Sequence, residues 1–162
     1  MIIIGVRSTI IDLDVFLNRV AEIEKQHSVT VQFFRASRIF GAEHLISATE
    51  KALRAVENGT AMSKTLGMEI MLYAAAERQT SEALRKVGIH KGITEMAAAI
   101  VGEISAETLI KDLGLERDDS VLAPEGKDPS IFGITPEDIS LAGEDMIPDL
   151  VLEKIAISEV TR

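Results

Sequence analysis

At 162 residues and a net charge of −9, with 26 acidic side chains against 17 basic ones, the chain has the size of one ordinary domain, which buries about 70% of its unfolded surface. It has no cysteine, which excludes a disulfide framework, a thiolate metal site and a cysteine nucleophile, and which fits a cytoplasmic protein. The overall acidity argues against a protein that coats nucleic acid, because phosphate binding rests on accumulated Lys and Arg.

Ile2 to Arg7 predicts a first strand, and the apolar opening Met1 to Val6 is too short for a signal peptide or a membrane span. Asp12 to His27 places Leu13, Phe16, Leu17, Val20 and Ile23 at helical spacing behind acidic residues that suit a helix N-terminus. Val29 to Phe34 alternates β-branched and aromatic residues with Thr30 and Gln32, the pattern of a strand. Ala42 to Asn58 is amphipathic and is ended by Gly59. Ser63 to Ala76 predicts a helix of another kind: from Thr65 onward only Glu69 is charged, so the helix belongs at the centre of the domain.

Thr80 is expected to cap a short helix over Ser81 to Val87, closed by Gly88. Ile93 to Val101 reads as another strand, and Ala106 to Leu113 as a short helix. An irregular acidic loop runs through Pro124 and Pro129, a helix starts at Thr135 to Asp138, and a last helix is expected from about Glu144 to Val160. With no repeat or linker, residues 1–162 read as a single domain of the α/β (α+β) class, a small mixed or antiparallel sheet packed with several helices.

The search for chemistry finds no catalytic or metal constellation. There is no nucleophile elbow, Ser-x-x-Lys, Walker or Gly-x-Gly-x-x-Gly motif, so no cofactor is expected. His27 and His90 fall in predicted turns, and His44, beside Glu43, reads as a surface or boundary histidine. Asp12 with Asp14, and Glu116 with Asp118 and Asp119, lack the spacing and the loop glycine of a calcium-binding hand. Glu69 stands out as a lone carboxylate in an apolar helix. Left unpaired it would cost several kcal/mol, so it is expected to meet a backbone N–H, an arginine or a partner.

Charge is unevenly spread. Lys51 to Lys91 holds seven basic residues against four acidic ones, whereas Gly102 to Glu153 holds three against fourteen. Solvated helix faces explain both; the alternative is a bipolar protein that touches phosphate with its middle segment.

The run Gly41-Ala-Glu-His-Leu-Ile-Ser-Ala-Thr-Glu-Lys-Ala-Leu, and then Met68-Glu-Ile followed by Arg78-Gln, Ala83-Leu and Gly88-Ile, resembles the small kinase-binding accessory subunit of the KEOPS (EKC) tRNA-modification complex, the PRPK-binding protein family, in its archaeal type. The likeness is best over residues 41 to 92, with secondary agreement at Gly114 to Leu122 and at Val151-Leu-Glu-Lys-Ile-Ala; it departs at Thr80 and in the acidic stretch Ala123 to Asp149. The resemblance implies a non-enzymatic regulatory subunit that binds the small atypical kinase of the complex and, through it, the other KEOPS subunits. It also implies contact with the single-stranded 3′ CCA end of tRNA during formation of threonylcarbamoyladenosine.

Single-stranded RNA is held by a few cations along its backbone and by flat side chains that stack on bases. The cations read for that role are Lys64, Arg78, Arg85 and Lys86, flanked by Lys51 and Arg54, and the aromatics within reach are Phe34, Phe40 and Tyr73. A kinase interface needs an exposed apolar patch, for which the candidates are Leu66 to Ala76, or the last helix with Met146, Ile147, Leu150 and Val151. Two other readings stay open: a small hydrolase or lyase built around a carboxylate such as Glu69, which would need a deep polar pocket, and an adaptor that binds proteins but never RNA.

Overall fold

The computed structural model describes residues 1–161. Its sheet has four strands in the order β2-β3-β1-β4, where β1 is Ile2–Arg7, β2 Thr30–Arg35, β3 Glu95–Val101 and β4 Glu116–Arg117. Every pairing is antiparallel, with Ile4 opposite Ala98 across β1 and β3, and Phe33 opposite Ala98 across β2 and β3. The first strand, helix and second strand therefore make a split unit, since β1 and β2 run parallel on either side of the later β3.

The central strand explains the layers. Met96 to Ile100 is buried at every position, which is what a strand covered on both faces requires. On one side Met96, Ala98 and Ile100 join Ile4, Val6, Val31 and Phe33 against helix α1, Leu13–His27, and helix α5, Ala106–Leu113. On the other, Ala97, Ala99 and Phe34 join helices α2, Ala42–Glu57; α3, Leu66–Ala75; α4, Thr80–Val87; and α7, Ile147–Val160. The alanines leave room for helix backbones to approach the sheet. The fold is α+β, as expected.

Helix α3 is the centre of the second layer, with Ile70 to Ala75 all buried. Its uniform apolarity is thus core packing, which removes it from the candidates for an exposed docking patch. The helix begins at Leu66 rather than Ser63 because Thr65 caps it, its hydroxyl accepting from the Met68 N–H at 3.2 Å. It ends at Ala76, a non-glycine residue with φ +53°.

Other boundaries also moved. Thr80 is the first residue of α4 rather than its cap; Gln79 holds that position without a side-chain bond. The acidic loop carries structure that has no hydrophobic period to announce it, β4 and short 3₁₀ turns at Asp119–Leu122 and Ser130–Phe132, while helix α6, Pro136–Ala142, starts where the sequence placed it, opened by a Thr135–Asp138 capping box. Gly5 admits this segment, since a Cβ there would lie 2.5 Å from the Asp118 carbonyl oxygen. The last helix splits into a 3₁₀ turn, Glu144–Met146, and α7, whose first turn tolerates Pro148.

Candidate functional site

Among the described residues three polar side chains are buried, His44, Thr49 and Glu69, and each meets the backbone. The Glu69 carboxylate accepts from the N–H groups of Met62 and Ser63 at 3.0 and 2.9 Å, fastening the loop between α2 and α3. A backbone N–H is one of the partners the sequence led us to expect. The group acts as an anchor for the loop.

His44 differs from its expected surface position. It is fully buried, its Nδ1 accepting from the Phe40 N–H at 3.0 Å and its Nε2 facing the Ala74 carbonyl oxygen at 2.8 Å. Both bonds are satisfied only by the neutral ring with the proton on Nε2, and burial lowers its pKa to about 4. The rings of Phe40 and Phe132 close around it, with centroids 5.9 Å apart and nearly perpendicular.

The cations gather at helix ends. Arg85 lies in the last turn of α4 and pairs with Glu82 at 2.9 Å. Lys86 turns inward to Glu77 at 2.6 Å, with its ammonium 6.0 Å from the centre of the Phe132 ring. Two arginines outside the expected set complete this cluster. Arg35 donates to the carbonyls of Gly88 and Arg85, both at 3.2 Å, and Arg38 to that of Lys86 at 3.2 Å, so side chains from the end of β2 and the turn after it complement the C-terminus of α4. Burial and the neighbouring Arg38 lower the pKa of Arg35, as expected of like charges held close.

A second group meets the end of α7. Arg54 pairs with Glu159 at 3.1 Å, and Arg78 donates to the carbonyl of Thr161. Lys51 donates to Ser47 at 3.2 Å on its own helix, and Lys64 is exposed on the loop that Glu69 anchors. The six expected cations are therefore divided: Arg85 and Lys86 share one cluster, Arg54 and Arg78 another, and among the described residues Lys51 and Lys64 join neither by a hydrogen bond or ion pair. Arg35 and Arg38 escaped the sequence reading because the basic stretch was counted from Lys51; their only signal was two arginines three apart at the end of a predicted strand.

Compared with protein-family models, the chain matches the kinase binding protein CGI-121 over residues 14–124. The chain belongs to the CGI-121 family. A comparison with curated proteins finds no match. In this CGI-121 protein the matched span runs from α1 to just past the 3₁₀ turn at Asp119–Leu122, and so contains every cation named above and the three aromatic candidates, while α6 and α7 follow it.

The aromatic expectation needs correction. Phe34, Phe40 and Tyr73 are 0%, 2% and 3% exposed, which leaves no ring face for a base. Their rings fill the core between the sheet and the helices. Tyr73 and Arg54 do line a cavity of about 410 Å³, but there the guanidinium already faces Glu159.

The family's kinase-binding character calls for an exposed apolar surface. Leu53 and Val56 on α2 are 37% and 51% exposed, and Ile157 and Val160 on α7 are 50% and 84% exposed. The Arg54–Glu159 pair ties these two helices together beside them. Of the residues expected on the last helix, Val151 is core, Ile147 and Leu150 are half-buried, and Met146 is exposed. No helix among the described residues is long and apolar enough to cross a membrane.

Proposed function

We propose that this chain is the non-catalytic kinase-binding subunit of an archaeal-type, cytoplasmic KEOPS complex, and that it presents the 3′ CCA end of tRNA to its partners. The observation that carries the reading is the family match across residues 14–124. The resemblance over residues 41 to 92 supplies the complex and the RNA. The kinase docks, in this reading, on Leu53, Val56, Ile157 and Val160, an apolar patch around a single ion pair, as partner surfaces with an apolar centre do.

The RNA backbone runs over Arg85, Arg35 and Arg38, with Arg78 and Lys64 as flanking contacts and Lys86 holding the cluster from inside. Neither Arg35 nor Arg38 is neutralised by an ion pair among the described residues, so their charge remains available to phosphate. With the aromatics buried, recognition falls to charge and backbone contacts rather than to base stacking.

The test is co-elution of the purified chain with the KEOPS kinase of the same source, followed by binding of tRNA with and without its 3′ CCA. A stable complex that Ile157→Glu or Val160→Glu disrupts, and tRNA binding that is lost with the CCA, are the expected results. A chain that ignores both the kinase and tRNA refutes the proposal.

A further inference from the structure

From Pro124, where the matched span ends, to Pro148 the chain folds around a cavity of about 750 Å³, within the roughly 300–1,000 Å³ of ordinary binding pockets. Ile139, Ile147 and Pro148 supply apolar lining, and Glu125, Glu144 and Asp145 supply carboxylates. Glu144 and Asp145 make no ion pair with any described residue. The one cation lining the cavity among the described residues, Lys127, is committed elsewhere, its Nζ donating to the carbonyls of Ile39 and Val121 at 2.7 and 2.6 Å.

The walls are built to hold this shape. Thr135 and Asp138 close a reciprocal capping box at 3.1 and 2.8 Å, which sets the start of α6. Gly143, at φ +98°, turns the chain between α6 and the next 3₁₀ turn, a conformation that a side chain would strain. Prolines at 124, 129 and 148 remove further freedom. A groove fixed in advance loses little entropy when it is filled.

We infer that this groove is a docking site for a basic amphipathic segment of a partner protein, which sets an arginine or lysine against Glu144 and Asp145 and an apolar side chain against Ile139, Ile147 and Pro148. Charge complementarity selects this occupant: residues 102 to 153 carry fourteen acidic side chains against three basic ones, so an acidic segment or a second copy of the same face would be repelled. The apolar lining, beside the exposed Met146, separates a peptide from a small polycation, which would cover the carboxylates and leave Ile139 and Ile147 wet.

The test uses the full chain and fluorescein-labelled peptides of a glycine-serine background, one bearing two arginines and two leucines, one bearing the arginines alone. Anisotropy should show saturable binding of the first, weaker binding of the second, and a further loss of about fivefold to tenfold for the Glu144→Gln/Asp145→Asn double variant, as two exposed ion pairs would give. Amide shifts on binding should map to Ile139, Glu144 and Ile147. The inference is overturned by equal affinity for both peptides, which marks a bare charge site, by an unaltered double variant, by shifts elsewhere, or by no saturable binding. Because the two substitutions avoid the apolar patch and the arginine cluster, kinase co-elution and tRNA binding measured on the same variant fail or hold independently.

Discussion

Acidification from pH 6.5 to 4 should withdraw about 3 kcal/mol from the folded state through His44 alone. The unfolded ring titrates at its ordinary 6.5, whereas burial holds the folded one near 4. Between those values the unfolded chain binds one proton more than the folded chain, so stability falls as pH falls, by about 1.4 kcal/mol per pH unit. The loss begins below pH 6.5 and is complete once the folded ring itself protonates and Nδ1 can no longer accept from Phe40. Replacement of His44 by Leu separates this contribution from that of the carboxylates. At pH 7 the variant leaves the Phe40 N–H and the Ala74 carbonyl unsatisfied, a cost of about 2–4 kcal/mol. At pH 4 the wild type has lost its own advantage, so the two should converge. Urea unfolding at half-unit steps from pH 7.5 to 4 measures the gap. Parallel curves across that range would refute the assignment of His44 as a buried neutral ring.

Three further outcomes follow from local geometry. Ala76→Gly should raise stability by about 0.5–1 kcal/mol in a urea titration, because Ala76 sits at φ +53°, a conformation glycine adopts without penalty. Gly5→Ala should lower it by more than 2 kcal/mol and shift the thermal midpoint down, since the added Cβ lies 2.5 Å from the Asp118 carbonyl and 2.6 Å from Val121. If the RNA reading is right, Arg38→Ala should weaken tRNA binding and reduce the slope of log affinity against log salt by about 1, one phosphate contact, with little change in melting temperature.

The sequence carried the large elements because their periods are strong. Ile2 to Arg7 and Ala106 to Leu113 fell on their predicted bounds, and α1, α2 and α3 within a few residues of theirs. What it could not carry are contacts made across the chain. Glu116–Arg117 is a strand only because β1 lies beside it, and His44 is buried only because Phe40, Ala74 and Phe132 converge from three segments. The same limit governs the site. Lys86 and Arg85 are neighbours in sequence, yet one turns inward to Glu77 near Phe132 and the other lies exposed against Glu82. A count of charges assigns them equal weight, whereas the fold makes Lys86 a half-buried brace and leaves Arg85 exposed beside Glu82. Arg35 and Arg38 gain their place from α4, far along the chain.

That placement sets the strength of any RNA contact. Arg35 and Arg38 lie against the carbonyl end of α4, where the helix contributes roughly half a negative charge, and Arg85 already faces Glu82. The field reaching a phosphate is therefore smaller than the number of cations suggests, and the chain as a whole is acidic. On the RNA reading, such a surface should bind single strands modestly and lose them readily in salt. It becomes effective when the same chain also holds a kinase, because tethering one partner raises the effective concentration of the other. If the RNA reading is right, the exposed apolar residues on α2 and α7 and the arginine cluster at α4 act as two halves of one device, since a weak grip on RNA suits a subunit that brings an end of tRNA to an enzyme and then releases it.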